Sequence, residues 1–129
     1  MPRPVIDAVA VSTSNMQRTL AFYRCLGFAF PEVGDSDDHI EAETAPGGVR
    51  LMIDTAELMT KLTGAAPRPS NHSVFALLFE SPAKVDAAAK AVADAGFTVS
   101  TAPWDAFWGQ RYATVADPDG YRVDLFAPL

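Results

Sequence analysis

The sequence predicts an α+β domain built from two tandem βαβββ units, and three observations lead there. A chain of 129 residues is the size of one core, since single domains usually run to about 100–150 residues. Apolar residues make up 49% of it and charged residues 20%, a globular balance that excludes disorder. The third observation is internal repetition. A shift of 69 residues lays Ser12 on Ser81 and Gly27-Phe28 on Gly96-Phe97, and a shift of 72 lays Gly48-Val49-Arg50-Leu51 on Gly120-Tyr121-Arg122-Val123.

Each unit then reads in order. Val5 to Val11 alternates and is rich in Val and Ile, as a strand should be. Ser14 or Asn15 can cap the helix that follows, in which Met16, Leu20, Tyr23 and Leu26 recur at helical spacing. Gly27 ends that helix. Strands follow near 28–33, 39–44 and 48–54, separated by the turn-like Gly34-Asp35-Ser36-Asp37 and Pro46-Gly47-Gly48. In the second unit Val74 to Glu80 is a strand, and Ser81-Pro82 opens a helix whose apolar stripe is Val85, Ala88, Ala89, Val92 and Ala95. Strands near 97–102, 110–116 and 121–126 complete it, with Asp117-Pro118-Asp119-Gly120 as a strong turn signal. The chain is one domain over 1–129, with module one over about 4–54, a linker over 55–72 and module two over about 73–127. Within the linker Ala56 to Leu62 reads as a short helix, and Pro67 and Pro69 mark a loop.

Charge and cysteine content narrow the partners. Sixteen acids against ten bases give a net charge of −6. A phosphate backbone or an anionic membrane surface is repelled, whereas a cationic small molecule is not. The single cysteine, Cys25, excludes an internal disulfide and any Cys-rich zinc module, and points to a reducing, cytoplasmic setting. No apolar run reaches about 18 residues, and the start Met1-Pro2-Arg3-Pro4 has no apolar stretch suited to a leader.

Two further motifs carry a resemblance. Trp108-Gly109-Gln110-Arg111 precedes Asp117-Pro118-Asp119-Gly120-Tyr121-Arg122-Val123-Asp124-Leu125-Phe126, and Leu20 to Phe28 has the form of a first helix and its exit. In this order, over about residues 5 to 127, they resemble the vicinal oxygen chelate superfamily. It includes glyoxalase I, extradiol dioxygenases and bleomycin-type resistance proteins. The resemblance implies curled, mostly antiparallel sheets around a cup-shaped cavity, and a homodimer. It fixes fold better than function.

Catalytic relatives hold a divalent metal on four side chains, two from each unit. Carried onto this chain, those positions are Ala8, Met52, Leu77 and Asp124. Alanine and leucine have no lone pair, and a methionine thioether is too soft for Zn²⁺, Mg²⁺, Mn²⁺ or Ni²⁺. One carboxylate does not make a catalytic site, which takes about three protein ligands. The expectation is therefore no metal and no cofactor. His39 and His72, the only imidazoles, fall outside the four positions and read as exposed or hydrogen-bonding loop histidines. Asp117-Pro118-Asp119-Gly120 resembles the start of a calcium loop but lacks its later ligands.

Strand parity sets which side chains face the cup. If Asp124 faces it, so do Arg122 and Phe126, and by the same reading Ala8, Ala10, Ser12, Arg50, Met52, Asp54, Phe75, Leu77 and Phe79. The segment 104–112 holds Trp104, Phe107, Trp108 and Tyr112. Interrupted by glycine and proline, it reads as partly loop. It is either core packing, a dimer contact, or a stacking wall for a flat or cationic ligand. The candidate ligand residues are Trp104, Phe107, Trp108, Gln110, Arg111, Tyr112, Met52, Asp54, Phe75 and Leu77, with Asp124 as a candidate base or as the anion that meets a cation. Arg111 and Arg122 read equally as partners of Asp117, Asp119 or Asp124. Cys25 reads as a small core residue.

The function expected is a metal-free small-molecule binder that sequesters a basic aromatic compound, as resistance proteins do. The alternative is a glyoxalase I-like lyase of the lactoylglutathione lyase type, or another family enzyme of unknown substrate. A dioxygenase, which needs two His and a carboxylate on iron, is least supported.

Overall fold

The computed structural model describes residues 3–69 and 74–129. His72 lies outside the described residues. The elements run β1 (Ala8–Thr13), α1 (Met16–Cys25), β2 (His39–Glu41), β3 (Arg50–Thr55), α2 (Ala56–Thr63), β4 (Phe75–Leu78), α3 (Pro82–Asp94), β5 (Thr98–Ala106), β6 (Gln110–Ala116) and β7 (Arg122–Pro128).

Local chemistry explains the helices. Asn15, not Ser14, caps α1, and its side-chain oxygen accepts the Arg18 amide at 3.1 Å. Ser81 caps α3 in the same way and Pro82 supplies the pre-set first helical φ. Both helices end alike. Gly27 and Gly96 take φ of +105° and +84°, so Phe28 and Phe97 turn back and donate their amides to the Tyr23 and Val92 carbonyls. Thr55 caps α2, which Gly64 ends.

In both units the first strand pairs in parallel with the last. Module one has sheet order β1-β3-β2, and module two β4-β7-β6-β5. The remaining neighbours are antiparallel, and neither sheet closes into a barrel. The strand expected near 28–33 does not form. Pro31 and Gly34 interrupt it, and its one backbone link to β2's continuation is the Glu43 amide on the Ala29 carbonyl at 2.8 Å. Its counterpart β5 is instead longer than the sequence suggested and runs to Ala106. Pro103 and Trp104 therefore sit in an edge strand, at a shift in register against β6. Only Phe107, Trp108 and Gly109 form the turn.

The helices share one core. Val85, Ala88, Ala89 and Val92 of α3 pack toward Ala113, Val115, Val123, Leu125 and Ala127 of β6 and β7. Module one contributes Val11, Ile40, Leu51 and Ile53 from its strands and Leu20, Phe22 and Tyr23 from α1. Phe22 meets Phe97 edge-on with centroids 5.4 Å apart, so α1 is seated on module two as well as on its own sheet. Among the described residues no helix is long and apolar enough to cross a membrane.

A polar clasp completes this seat. Asp117, at the end of β6, is 4% exposed. Its carboxylate accepts the Tyr23 hydroxyl at 2.9 Å and the Asp119 and Tyr121 amides at 3.0 and 2.9 Å. Asp119 accepts the Ser14 amide and hydroxyl at 3.1 and 2.7 Å. The Asp-Pro-Asp-Gly segment is thus a turn, as its chemistry suggested, and it holds α1 to module two. Tyr23→Phe leaves a buried carboxylate short of one donor and should cost about 1–3 kcal/mol. Ser14→Ala acts at the exposed end of the clasp and should cost less. Urea unfolding of the two variants against the parent orders them; equal costs would deny the buried bond its role.

Candidate functional site

Parity along β7 divides its side chains. Val123, Leu125 and Ala127 are fully buried on the helix side, so Arg122, Asp124 and Phe126 belong to the open face. Register places Thr114 beside Asp124, Tyr112 beside Phe126 and Trp104 beside Tyr112. All lie on that open face.

Asp124 is nonetheless only 5% exposed. One of its oxygens accepts the Tyr112 hydroxyl, and the other accepts the Thr114 hydroxyl at 2.9 Å. Burial, and then the bond to Asp124, push the Tyr112 hydroxyl up to about 12, so it stays protonated and donates. Among the described residues no Lys, Arg or His comes within ion-pair distance of Asp124. It is a covered carboxylate served by two neutral donors.

Beside it stands an aromatic wall. The Trp108 ring meets Phe107, Tyr112 and Trp104 edge-on, at centroid distances of 5.0, 5.2 and 5.5 Å. Its Nε1–H donates to Gln110 Oε1 at 2.7 Å, which fixes the indole's orientation. The wall is open to solvent: Phe107 is 91% exposed, Trp108 47% and Trp104 40%.

The open face of module one is polar. Arg50, Met52 and Asp54 of β3 lie beside Ala8, Ala10 and Ser12 of β1 and share their face with His39 and Glu41 of β2. The His39 Nδ1 is 2.5 Å from Asp54 Oδ1 and its Nε2 is 3.0 Å from Glu41 Oε2. Arg50 donates to Glu41 and to Asp7, both at 2.7 Å. His39 opens β2, exposed and hydrogen-bonded as expected, and stands in a charged ladder. Within each strand the sequence offered a partial signal, since His39 shares parity with Glu41 and Arg50 with Asp54, but only the β2–β3 register joins the two pairs.

The expected site residues therefore fall in four places. Trp104, Phe107, Trp108, Gln110, Tyr112 and Asp124 come together on module two. Met52 and Asp54 lie on module one's open face. Phe75 and Leu77 do not face the cup. They are the cross-strand neighbours of Val123 and Leu125 and turn to the core side, leaving Ala76 and Leu78 on the open face. The cause is helix length. α3 has 13 residues against 10 in α1, so an alignment anchored on Gly27 and Gly96, beyond the helices, sets the preceding strand three residues out. An odd slip inverts every side chain. Phe75 and Leu77 instead line a cleft of about 910 Å3 together with Val9, Phe28, Val49 and Leu51. Arg111 is also elsewhere: it pairs with Asp86 of α3 at 2.9 Å and with Asp105 at 3.1 Å. Cys25 packs against the core, and burial pushes its thiol up, away from nucleophilic use.

The corrected register changes the implied metal seat but not its chemistry. Met52 and Asp124, equivalent in the two last strands, have Ala10 and Ala76 as their first-strand neighbours. With Ala10 and Ala76, or with Ala8 and its register-corrected counterpart Val74, Asp124 remains the only oxygen donor in the set. Its oxygens already accept two hydroxyls. These residues do not fit a divalent ion.

Comparison with known proteins is consistent with this architecture. The model of the Glyoxalase/Bleomycin resistance protein/Dioxygenase superfamily matches residues 5–125. A glyoxalase/bleomycin resistance protein/dioxygenase from Nocardioides is similar at 26% identity and a TM-score of 0.73, over 100% of this chain and 86% of that one. A glyoxalase-related enzyme from Fulvimarina pelagi superposes with a TM-score of 0.81 at 17% identity, over 95% and 87% of the two chains. A lactoylglutathione lyase from Agrobacterium tumefaciens does so at 0.70 and 16%, over 98% and 96%. No curated protein matches the sequence.

Tyr112→Phe and Thr114→Val each remove one donor from the covered carboxylate. Each should lower stability by about 1–3 kcal/mol in denaturant unfolding. In the double variant the two losses should fail to add, because both act on one carboxylate. Simple additivity would mean that the two hydroxyls do not share it.

Proposed function

The chain belongs to the Glyoxalase/Bleomycin resistance protein/Dioxygenase superfamily, and on that premise we propose that it is a metal-free binding protein for a basic aromatic small molecule. The observation that carries this reading is Asp124. A carboxylate withdrawn from water is costly unless a cation or several donors compensate it. Here two hydroxyls serve it, and no cation does among the described residues. A cationic group on a bound ligand supplies the missing charge. The ligand's flat body stacks on Trp108 and its neighbours, where a cation also gains from the ring faces. The net charge of −6 favours the same approach.

The lyase reading has less support. Glyoxalase-type chemistry polarises a carbonyl on a metal, and Ala10, Met52 and Ala76 offer such an ion no ligand. We also propose that the chain works as a homodimer. The exposed Val5, Ile6, Val74 and Leu78 support it, since Ile6, Val74 and Leu78 border the cleft beside β4.

Tryptophan quenching by planar aromatic amines and their neutral isosteres tests the binding proposal. The amines should bind and the isosteres bind weakly. Trp108→Ala should remove most of the quenching. Asp124→Asn should weaken the amines by about ten- to a hundredfold, the worth of about 1.5–3 kcal/mol for a charged hydrogen bond, and leave the isosteres unchanged. Binding should survive exhaustive chelation. Equal affinity for amines and isosteres, or loss of binding with the chelator, overturns the proposal.

A further inference from the structure

The ladder on module one's open face has no part in the proposed site, and its geometry carries a separate inference. β2 is three residues long, lies at the edge of its sheet and pairs only with β3. Ile40 anchors it on the core side at 6% exposure. On the other face five charged side chains run across the sheet in contact order: Asp7, Arg50, Glu41, His39 and Asp54. Asp7 precedes β1, Glu41 and His39 belong to β2, and Arg50 and Asp54 to β3. The further charged group nearby is Asp38, next to His39, whose carboxylate accepts the Thr55 hydroxyl at 2.8 Å.

With His39 protonated the signs along this ladder alternate, and every contact is attractive. With His39 neutral they do not. Asp54, 7% exposed, loses the only cation that touches it among the described residues. Glu41 keeps Arg50, but β2 then has no ionic tie to Asp54. We propose that His39 is a pH-operated bolt across the module-one sheet: protonated, it locks edge strand β2 to β3 through Asp54; neutral, it leaves β2 held by the Glu41–Arg50 pair alone of these ionic ties, loosens the strand and uncovers the Asp54 carboxylate on the open face.

The titration direction agrees with the geometry. The hydrogen bonds to Glu41 and then to Asp54 raise the His39 imidazole above its ordinary 6.5, against the effect of burial. The same bonds, His39 first and Arg50 second, hold Glu41 below the usual carboxylate range. For a histidine raised on folding, the stabilisation is complete below the unfolded value and is lost as pH climbs through the folded one. The window thus opens near 6.5 and extends upward. Each pKa unit gained in the locked form is about a tenfold change in the opening of β2.

Two measurements on the intact protein decide it. Imidazole NMR of the wild type should give His39 a midpoint above 6.5, returning toward 6.5 in Asp54→Asn. Hydrogen exchange of the Ile40, Glu41 and Ala42 amides, corrected for intrinsic rates, should show opening that rises on going from pH 6 to pH 9. Amides of β6 and β7 should not follow. His39→Gln, which keeps a hydrogen-bonding side chain without a titrating charge, should abolish the rise. The proposal fails if the wild-type midpoint lies at or below 6.5, or if β2 opens with the same pH dependence in His39→Gln as in the parent.

Discussion

The arrangement depends on the buried carboxylate of Asp117. It sits where β6 gives way to the turn before β7, and it binds a residue of the other module: the Tyr23 hydroxyl, 94 positions away in sequence. Two backbone amides of its own turn complete its shell. Such a group is stabilising only while all its donors are present, because each one lost leaves part of a charge dry. The clasp therefore fixes α1 in one position beside α3. With both helices gathered into a common layer, each sheet has its apolar face committed inward and its other face free.

Three buried acids show how differently one protein can settle a carboxylate. Asp117 is closed, with amides and a phenol that nothing from outside can displace without unfolding the turn. Asp54 is met by an imidazole whose charge varies with pH. Asp124 is served by two neutral side-chain hydroxyls, those of Tyr112 and Thr114, on the open-face parity of β6. Of the three, Asp124 alone combines a neutral shell with an adjacent exposed aromatic surface. Burial fractions do not separate them, since all lie within a few per cent of one another. The identity of the donors does.

The elements that local chemistry specifies were legible in the sequence. Capping residues, the two glycine exits and the Asp-Pro-Asp-Gly turn lie where their residue types require, and so do the alternating strands except at the start of the first, which begins at Ala8 and not at the exposed Val5. So does the cluster of Trp108, Tyr112 and Asp124, because parity along two consecutive hairpins needs no long-range information. The failures share a different origin. The strand expected near 28–33 needed a partner that Pro31 denied it. The orientation of Phe75 and Leu77 was inferred across a helix whose length differs between the halves. Comparing the N-caps, Asn15 with Ser81, instead of the exits would have kept the parity. His39 was missed because a single histidine has no periodicity. Its meaning comes from Asp54, which only the β2–β3 register brings beside it.

This distribution also explains how the fold persists while its chemistry changes. Ala10, Met52 and Ala76 stand on open faces, outside the core formed by Val11, Leu51, Ile53, Val123 and Leu125. Exchanging a metal ligand for an alanine there removes no packed volume and leaves no buried polar atom unpaired. The core residues have no such freedom: a slip of one position in β3 or β7 would send its apolar side to water. Selection for folding therefore acts on one parity of each strand, and selection for chemistry on the other. A match over residues 5–125 reports the first of these. The second must be read from the side chains themselves: on this chain one carboxylate, two hydroxyls and a wall of rings.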